Sequence, residues 1–178
     1  NRCYWAAKQL SSSARQVGKK WLLSELYGCT GWQMSMKGHK AVGDWQALFG
    51  INLRCPHLSW YTMEGESKRD YPASILHQSP WYKYYGTIED HFARFGVFMT
   101  EGEPVCDVLV INPVESVWSQ SHLRWASWIF PSEPAVNELE GIYAKTFNIL
   151  VGNHIDFDYG DEQMLAEKYK IELDGDGK

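Results

Sequence analysis

The sequence predicts an α/β protein built from parallel βαβ units. Three observations predict it. Helical apolar stripes alternate with short apolar runs that lack polar alternation, the connections are short, and the runs end in glycine-rich or aromatic loops.

The first element is a helix over 2–18, because Tyr4, Ala7, Leu10, Ala14 and Val17 recur every three to four residues and Gly18 follows as a C-cap. The run Trp21-Leu22-Leu23-Ser24-Glu25 then reads as a parallel strand buried on both faces, stopping in the loop Tyr27-Gly28-Cys29-Thr30-Gly31-Trp32. A second helix fits 35–49, with Met36, Ala41, Val42, Trp45, Leu48 and Phe49 inward and Gly50 as terminator. Residues 51–61 read as a second strand with a polar, aromatic C-terminal end.

Residues 62–80 form a long loop rich in charge, glycine and proline, and loops of that length in compact domains are usually functional. A third helix runs from Trp81 to Met99 with Tyr85, Ile88, Phe92, Phe95 and Phe98 in its stripe and Gly102 at its end. Glu103-Pro104 marks a break in composition, so domains are expected over 1–102 and 103–178. Beyond it, 105–111 is a new central strand capped by Asn112-Pro113. Residues 115–132 are aromatic and irregular, and 134–152 make a further helix. An acidic, turn-rich stretch around 153–162 precedes a last short helix.

Composition narrows the function classes. A net charge of −5 and scattered lysines and arginines give no basic stripe for nucleic acid or an anionic membrane. No apolar run is long enough to cross a bilayer. Cys3, Cys29, Cys55 and Cys106 are widely spaced, without a CxxC or a zinc-spaced histidine cluster, which implies neither metal nor disulfide framework and fits a reducing, cytoplasmic setting. No cofactor motif is present. Aromatics, by contrast, reach 15%, with nine Trp. A sugar ring packs its apolar face on an aromatic ring, so this content fits either a carbohydrate cleft or a large aromatic core. The chain opens inside a helix and closes on Asp174-Gly175-Asp176-Gly177, a turn awaiting a strand, and is therefore expected to be a piece of a longer polypeptide.

Parallel α/β barrels carry their chemistry at the C-terminal ends of strands, which singles out Glu25 at the first strand end and His57, Trp60 and Tyr61 at the second. A carboxylate at a buried strand end is costly unless solvated, paired or used, so Glu25 is the catalytic candidate; a capping or salt-bridged role is the alternative. His57 either donates to a substrate hydroxyl or to Glu25, or is a satisfied structural residue. Trp60 and Tyr61 would alternate sides of the strand, so only one faces the mouth. Trp32 offers a second stacking surface or a core contact. Glu64 and Arg69, in the long loop, meet substrate or are solvated charges. Asp156, Asp158, Asp161 and Glu162 lack EF-hand spacing, and Asp161 reads as a helix cap ahead of a calcium ligand.

The segments Leu23-Ser24-Glu25-Leu26-Tyr27-Gly28, 50–61, Met63-Glu64-Gly65-Glu66-Ser67-Lys68-Arg69-Asp70-Tyr71-Pro72-Ala73-Ser74, Ser79-Pro80-Trp81-Tyr82, 108–118 and Asp156-Phe157-Asp158-Tyr159-Gly160-Asp161-Glu162 resemble a group of bacterial glycoside hydrolases related to the clan A barrel enzymes. The resemblance implies that 1–102 is the C-terminal part of a (β/α)8 TIM barrel. Glu25 then falls at the end of the seventh strand, as nucleophile, and Trp60 at the end of the eighth, lining a sugar subsite. Residues 103–178 resemble the start of the flavodoxin-like, amidotransferase-like domain that follows the barrel in trimeric β-galactosidases, which leaves a homo-oligomer open; no nucleophile-elbow cysteine stands here, so a structural role is implied. A distant likeness to the inverting α-L-rhamnosidases leaves the anomeric outcome open.

Hydrolysis of a glycosidic bond needs two carboxyl groups, roughly 5–5.5 Å apart for retention and roughly 6.5–9.5 Å for inversion. In clan A the acid/base glutamate lies on the fourth strand, so the resemblance implies that the rest of the same polypeptide supplies it and that these 178 residues alone are inactive. The alternative is a non-catalytic carbohydrate-binding or assembly protein on a degenerate barrel.

Overall fold

The structure, a computed structural model, describes residues 2–65, 75–121, 133–170 and 172–173. Arg69, residues 122–132 and the turn at 174–177 lie outside them. The chain divides into two compact units, Asn1–Pro104 and Val105–Lys178. It is a mixed α/β protein, with six α-helices and two separate two-stranded parallel pairs among the described residues, and these pairs close no barrel.

In the first unit helix α1 (Arg2–Gln16) leads to strand β1 (Leu23–Leu26), helix α2 (Met36–Leu48), strand β2 (Leu53–Pro56), a short 3-10 turn (Tyr82–Tyr84) and helix α3 (Gly86–Glu101). Strands β1 and β2 pair in parallel with Leu23 opposite Leu53 and Glu25 opposite Cys55. Successive side chains of a strand point to opposite faces, so Leu23, Glu25, Leu53 and Cys55 share one face. That face is open: Leu23 is 53% and Leu53 42% exposed, and Glu25 and Cys55 are exposed as well. Burial of β1 on both faces, expected from its apolar run, is thus corrected. One face alone is covered, where Leu26 packs on Met34, Val42 and Ile75, and the guanidinium of Arg54 lies 3.9 Å over the ring of Phe92.

The helices are amphipathic, but not always on the expected face. In α1 the apolar residues Tyr4 and Leu10 are exposed, as is Val17 just beyond its end, while Ser11, Ser12 and Lys8 are buried beside Ala7 and Ala14. The reason is close approach. A Cβ on Gly50, whose φ is +97°, would stand 2.8 Å from the Cβ of Ser11, so only small side chains fit between α1 and the turn that follows α2. In α2 Leu48 is 75% exposed and Ala41 exposed, and His39, Gly43 and Ala47 are buried instead. Phe98 of α3 is 80% exposed, and the buried stripe holds Ile88 and Phe92.

Helices α2 and α3 are also joined by a polar clamp. Asp44 accepts hydrogen bonds from Lys40 on its own helix and, at 2.8 Å, from Nε2 of His91 on α3. Burial raises the Asp44 carboxyl, but the bonds and charges of Lys40 and His91 outweigh it and hold the group below its ordinary value. A carboxylate whose folded pKa is depressed contributes stability that is present above its unfolded pKa, about 3.9, and lost as pH falls through the lower folded value. Thermal melts below about pH 4 are therefore expected to show a smaller acid loss for Asp44→Asn than for the wild type. Equal acid slopes would remove the clamp from the acid response.

In the second unit strand β3 (Leu109–Ile111) pairs in parallel with β4 (Asp158–Gly160), and helices α4 (Val114–Gln120), α5 (Pro134–Gly152) and α6 (Glu162–Lys168) complete it. Two expectations are corrected. Residues 114–120 are helical, with Pro113 at the N-cap and Glu115 in the first turn, where its negative charge meets the positive end of the helix dipole. The acidic stretch read as turns contains β4, whose Tyr159 stacks on Tyr143 of α5 at 4.8 Å while Phe157 meets Phe147 edge-on at 6.0 Å. Asp161 caps α6, its Oδ1 accepting the Met164 N–H at 2.7 Å.

Candidate functional site

The C-terminal ends of β1 and β2 form one rim, because Leu26 stands opposite Pro56 and the His57 N–H still donates to the Leu26 carbonyl at 2.7 Å. Beyond that bond the strands part. Tyr27 adopts a left-handed φ of +71° and Cys29 one of +58° in the loop that leaves β1. A left-handed bulky residue is costly, about 1–2 kcal/mol, and is held here by burial of the ring and by two hydrogen bonds. The Tyr27 hydroxyl donates to the His39 carbonyl and accepts from Nη1 of Arg54, each at 3.0 Å.

On this rim Glu25 sits on the open face, turned away from α2 and α3, and its carboxylate makes no hydrogen bond or ion pair among the described residues. The imidazole of His57 packs against Gly28, where an added Cβ would come within 3.3 Å of its Cδ2. Trp32 and Trp60, in the loops leaving β1 and β2, meet edge to face with ring centroids 5.1 Å apart and planes at 77°. Trp32 remains exposed and Trp60 half-buried, so the pair forms a two-walled aromatic corner. No family model matches this chain, nor does any curated protein or solved structure. What the corner can do therefore follows from its own chemistry: two rings set edge to face offer one flat face and one edge to an apolar ring surface, in the loops that leave the strand carrying Glu25 and its partner strand.

The other expected residues are less closely gathered. Strand β2 ends at Pro56, so Trp60 and Tyr61 stand in a loop and strand alternation does not sort them. Tyr61 is 93% exposed and joins no ring contact among the described residues. Glu64 is exposed in a turn where its N–H donates to Oγ1 of Thr62 at 3.1 Å. Arg69 lies outside the described residues. Among those residues no three His, Cys, Asp or Glu side chains gather as a metal site, and all four cysteines are free thiols.

Two residues without a sequence signal matter locally. His39 is fully buried in a box of Tyr27, Trp81 and Tyr85, with Nδ1 3.0 Å from the Ser35 carbonyl, which fixes a proton on that nitrogen. Gln78 donates from Nε2 to the Trp60 carbonyl across 18 residues, while its Oε1 is buried without a partner among the described residues. A buried acceptor lacking a donor costs about 1–3 kcal/mol, against the roughly 1 kcal/mol that one hydrogen bond returns.

Proposed function

We propose that this chain is the substrate-binding edge of a glycoside hydrolase, with β1 and β2 as the last two strands of a (β/α)8 barrel and Glu25 as one of its two catalytic carboxylates. The observation that carries the reading is the Trp32 and Trp60 corner standing at the same strand ends as Glu25. The one-sided cover of the β1/β2 pair supports it, because a barrel strand has helices on one side and the barrel interior on the other. Leu23, Leu53 and Glu25 occupy the side that an interior would cover.

In this reading Trp32 and Trp60 stack a sugar ring, His57 and Glu64 donate to or accept from its hydroxyls, Tyr61 and Arg69 extend the contact, and Glu25 attacks the anomeric carbon or activates water. A second carboxyl comes from elsewhere in a longer polypeptide. Residues 103–178 serve as the N-terminal part of an amidotransferase-like domain without an amidotransferase role. No cofactor takes part.

The test has two arms. The 178-residue chain is titrated with a panel of cello-, xylo- and manno-oligosaccharides, and binding is expected to quench tryptophan fluorescence and to weaken up to about tenfold in Trp32→Ala, as the loss of a stacked ring costs about 0.5–1.5 kcal/mol. In a polypeptide that also contains the second carboxyl, Glu25→Gln is expected to lower kcat on aryl glycosides by more than about a thousandfold. Binding with unchanged hydrolysis in Glu25→Gln assigns the site to carbohydrate binding alone. One observation favours that second reading: Glu25 is exposed on the open face of the strand pair.

A further inference from the structure

We infer that Gln78 is a positioning residue of the aromatic corner, holding Trp60 through its backbone so that the indole meets Trp32 edge to face. The inference deepens the carbohydrate reading and rests on it for its functional meaning, while its geometry stands independently.

The side-chain amide of Gln78 reaches the Trp60 carbonyl from a turn that is itself anchored. Ile75 at its start packs against both the Leu26 and the Tyr85 clusters, Ser79 is buried, and the Ser79 N–H donates to the Leu76 carbonyl at 2.8 Å. Trp60 lies four residues beyond the end of β2, in a segment with no ladder of its own, so a side-chain bond from a fixed turn sets where its backbone lies. The same amide leaves its oxygen buried without a donor among the described residues. What the described residues show this glutamine holding is the Trp60 backbone, through its donating end.

A nearly isosteric apolar replacement, Gln78→Met, separates the roles. It removes the bond to Trp60 together with the orphaned oxygen. Its melting temperature is expected to equal or exceed that of the wild type, while the circular-dichroism exciton signal of the Trp32 and Trp60 pair, identified by its loss in Trp32→Phe and Trp60→Phe, disappears. Affinity for the tightest-binding oligosaccharide of the panel is expected to fall about tenfold, the factor that one hydrogen bond's worth of positioning represents.

Retention of the exciton signal in Gln78→Met overturns the inference, whatever happens to stability. If that variant does not fold, Gln78→Glu decides. Its carboxylate cannot donate to the Trp60 carbonyl at neutral pH and can once protonated, so the signal should be absent at about pH 7 and return as pH falls through the glutamate range. A signal that is equal at both pH values overturns it. Failure of the wild type to bind any sugar of the panel sinks the carbohydrate reading instead, and the exciton measurement still decides the role of Gln78.

Discussion

Replacing Gly43 by alanine is expected to destabilise the first unit by about 1–3 kcal/mol, even though alanine is the better helix former. Gly43 lies in the middle of α2, where glycine costs roughly 1 kcal/mol relative to alanine, so a gain is the default expectation for an uncrowded site. The site is crowded. A Cβ there would come 2.2 Å from Cζ of Phe92 and within 2.8 and 2.9 Å of the two neighbouring ring carbons. The ring has little freedom to retreat, because the Arg54 guanidinium covers one face at 3.9 Å, the His91 ring meets it at 4.8 Å, and Tyr85 and Ile88 pack beside it.

The measurement is a denaturant melt of Gly43→Ala, Phe92→Leu and the double variant. Residues in direct contact do not add, and a leucine in place of the Phe92 ring should accept the new methyl, so the double variant is expected to lose less than the sum of the singles. A higher melting temperature for Gly43→Ala, at or above the gain that helix propensity alone supplies, would show that α2 and α3 are not this close.

Much of this architecture is legible in the sequence, and the parts that are not share a cause. The alternation of helical stripes and apolar runs marks β1, β2, α2, α5 and their parallel sense, because both signals are local: a 3.6-residue period, a short strand run, a short connection. Asp161 is equally readable, since capping is a matter of residue type three positions before an N–H. What escapes is set by partners distant in sequence. Strand β4 is three residues of mostly non-strand composition, and it exists because β3 offers a ladder.

The buried face of α1 holds serine and alanine because Gly50 brings the chain too close for Leu10 or Tyr4. Of the candidate site, the residue types at the strand ends are legible, and so is the rim they occupy. The contact between Trp32 and Trp60, which makes a corner of two separate candidates, is not, and neither is Gln78, whose partner lies 18 residues away.

The second large effect concerns Arg54, on the covered face of β2. Its side chain is only 11% exposed, and it serves three neighbours at once: Nη2 donates to Glu89 Oε2 at 2.7 Å, Nη1 to the Tyr27 hydroxyl at 3.0 Å, and the guanidinium plane lies over Phe92. Glu89 is 52% exposed, so the ion pair itself is screened and contributes little, about 0–1 kcal/mol. The packing is different. Truncation to alanine empties the space between Tyr27, Phe92 and the adjoining cavity of about 220 Å³, which is lined by Ala47, Ile51, Phe95 and Met99, and that loss belongs with large-to-small core substitutions, about 2–4 kcal/mol. Lysine keeps the charge but lacks the fork that reaches Tyr27 and Glu89 together, so Arg54→Lys falls between.

The expected order of destabilisation is therefore Arg54→Ala, then Arg54→Lys, then Glu89→Gln, with the last near zero. Equal losses in Arg54→Ala and Glu89→Gln would mean that the ion pair, and not the packing, is what Arg54 supplies. A spectroscopic consequence follows from the same geometry. Burial raises the Tyr27 hydroxyl above its ordinary pKa, and the positive charge and hydrogen bond of Arg54 pull against that rise. Tyr85, raised mainly by burial, feels the same opposing pull from Arg54. Removing the guanidinium in Arg54→Met should therefore move tyrosine ionisation to still higher pH in an ultraviolet titration of the folded chain. Because Tyr27 holds the left-handed turn that carries the chain from Glu25 toward Trp32, the same variant should also disturb the aromatic corner, linking the packed face of the strand pair to the open rim where the proposed chemistry lies.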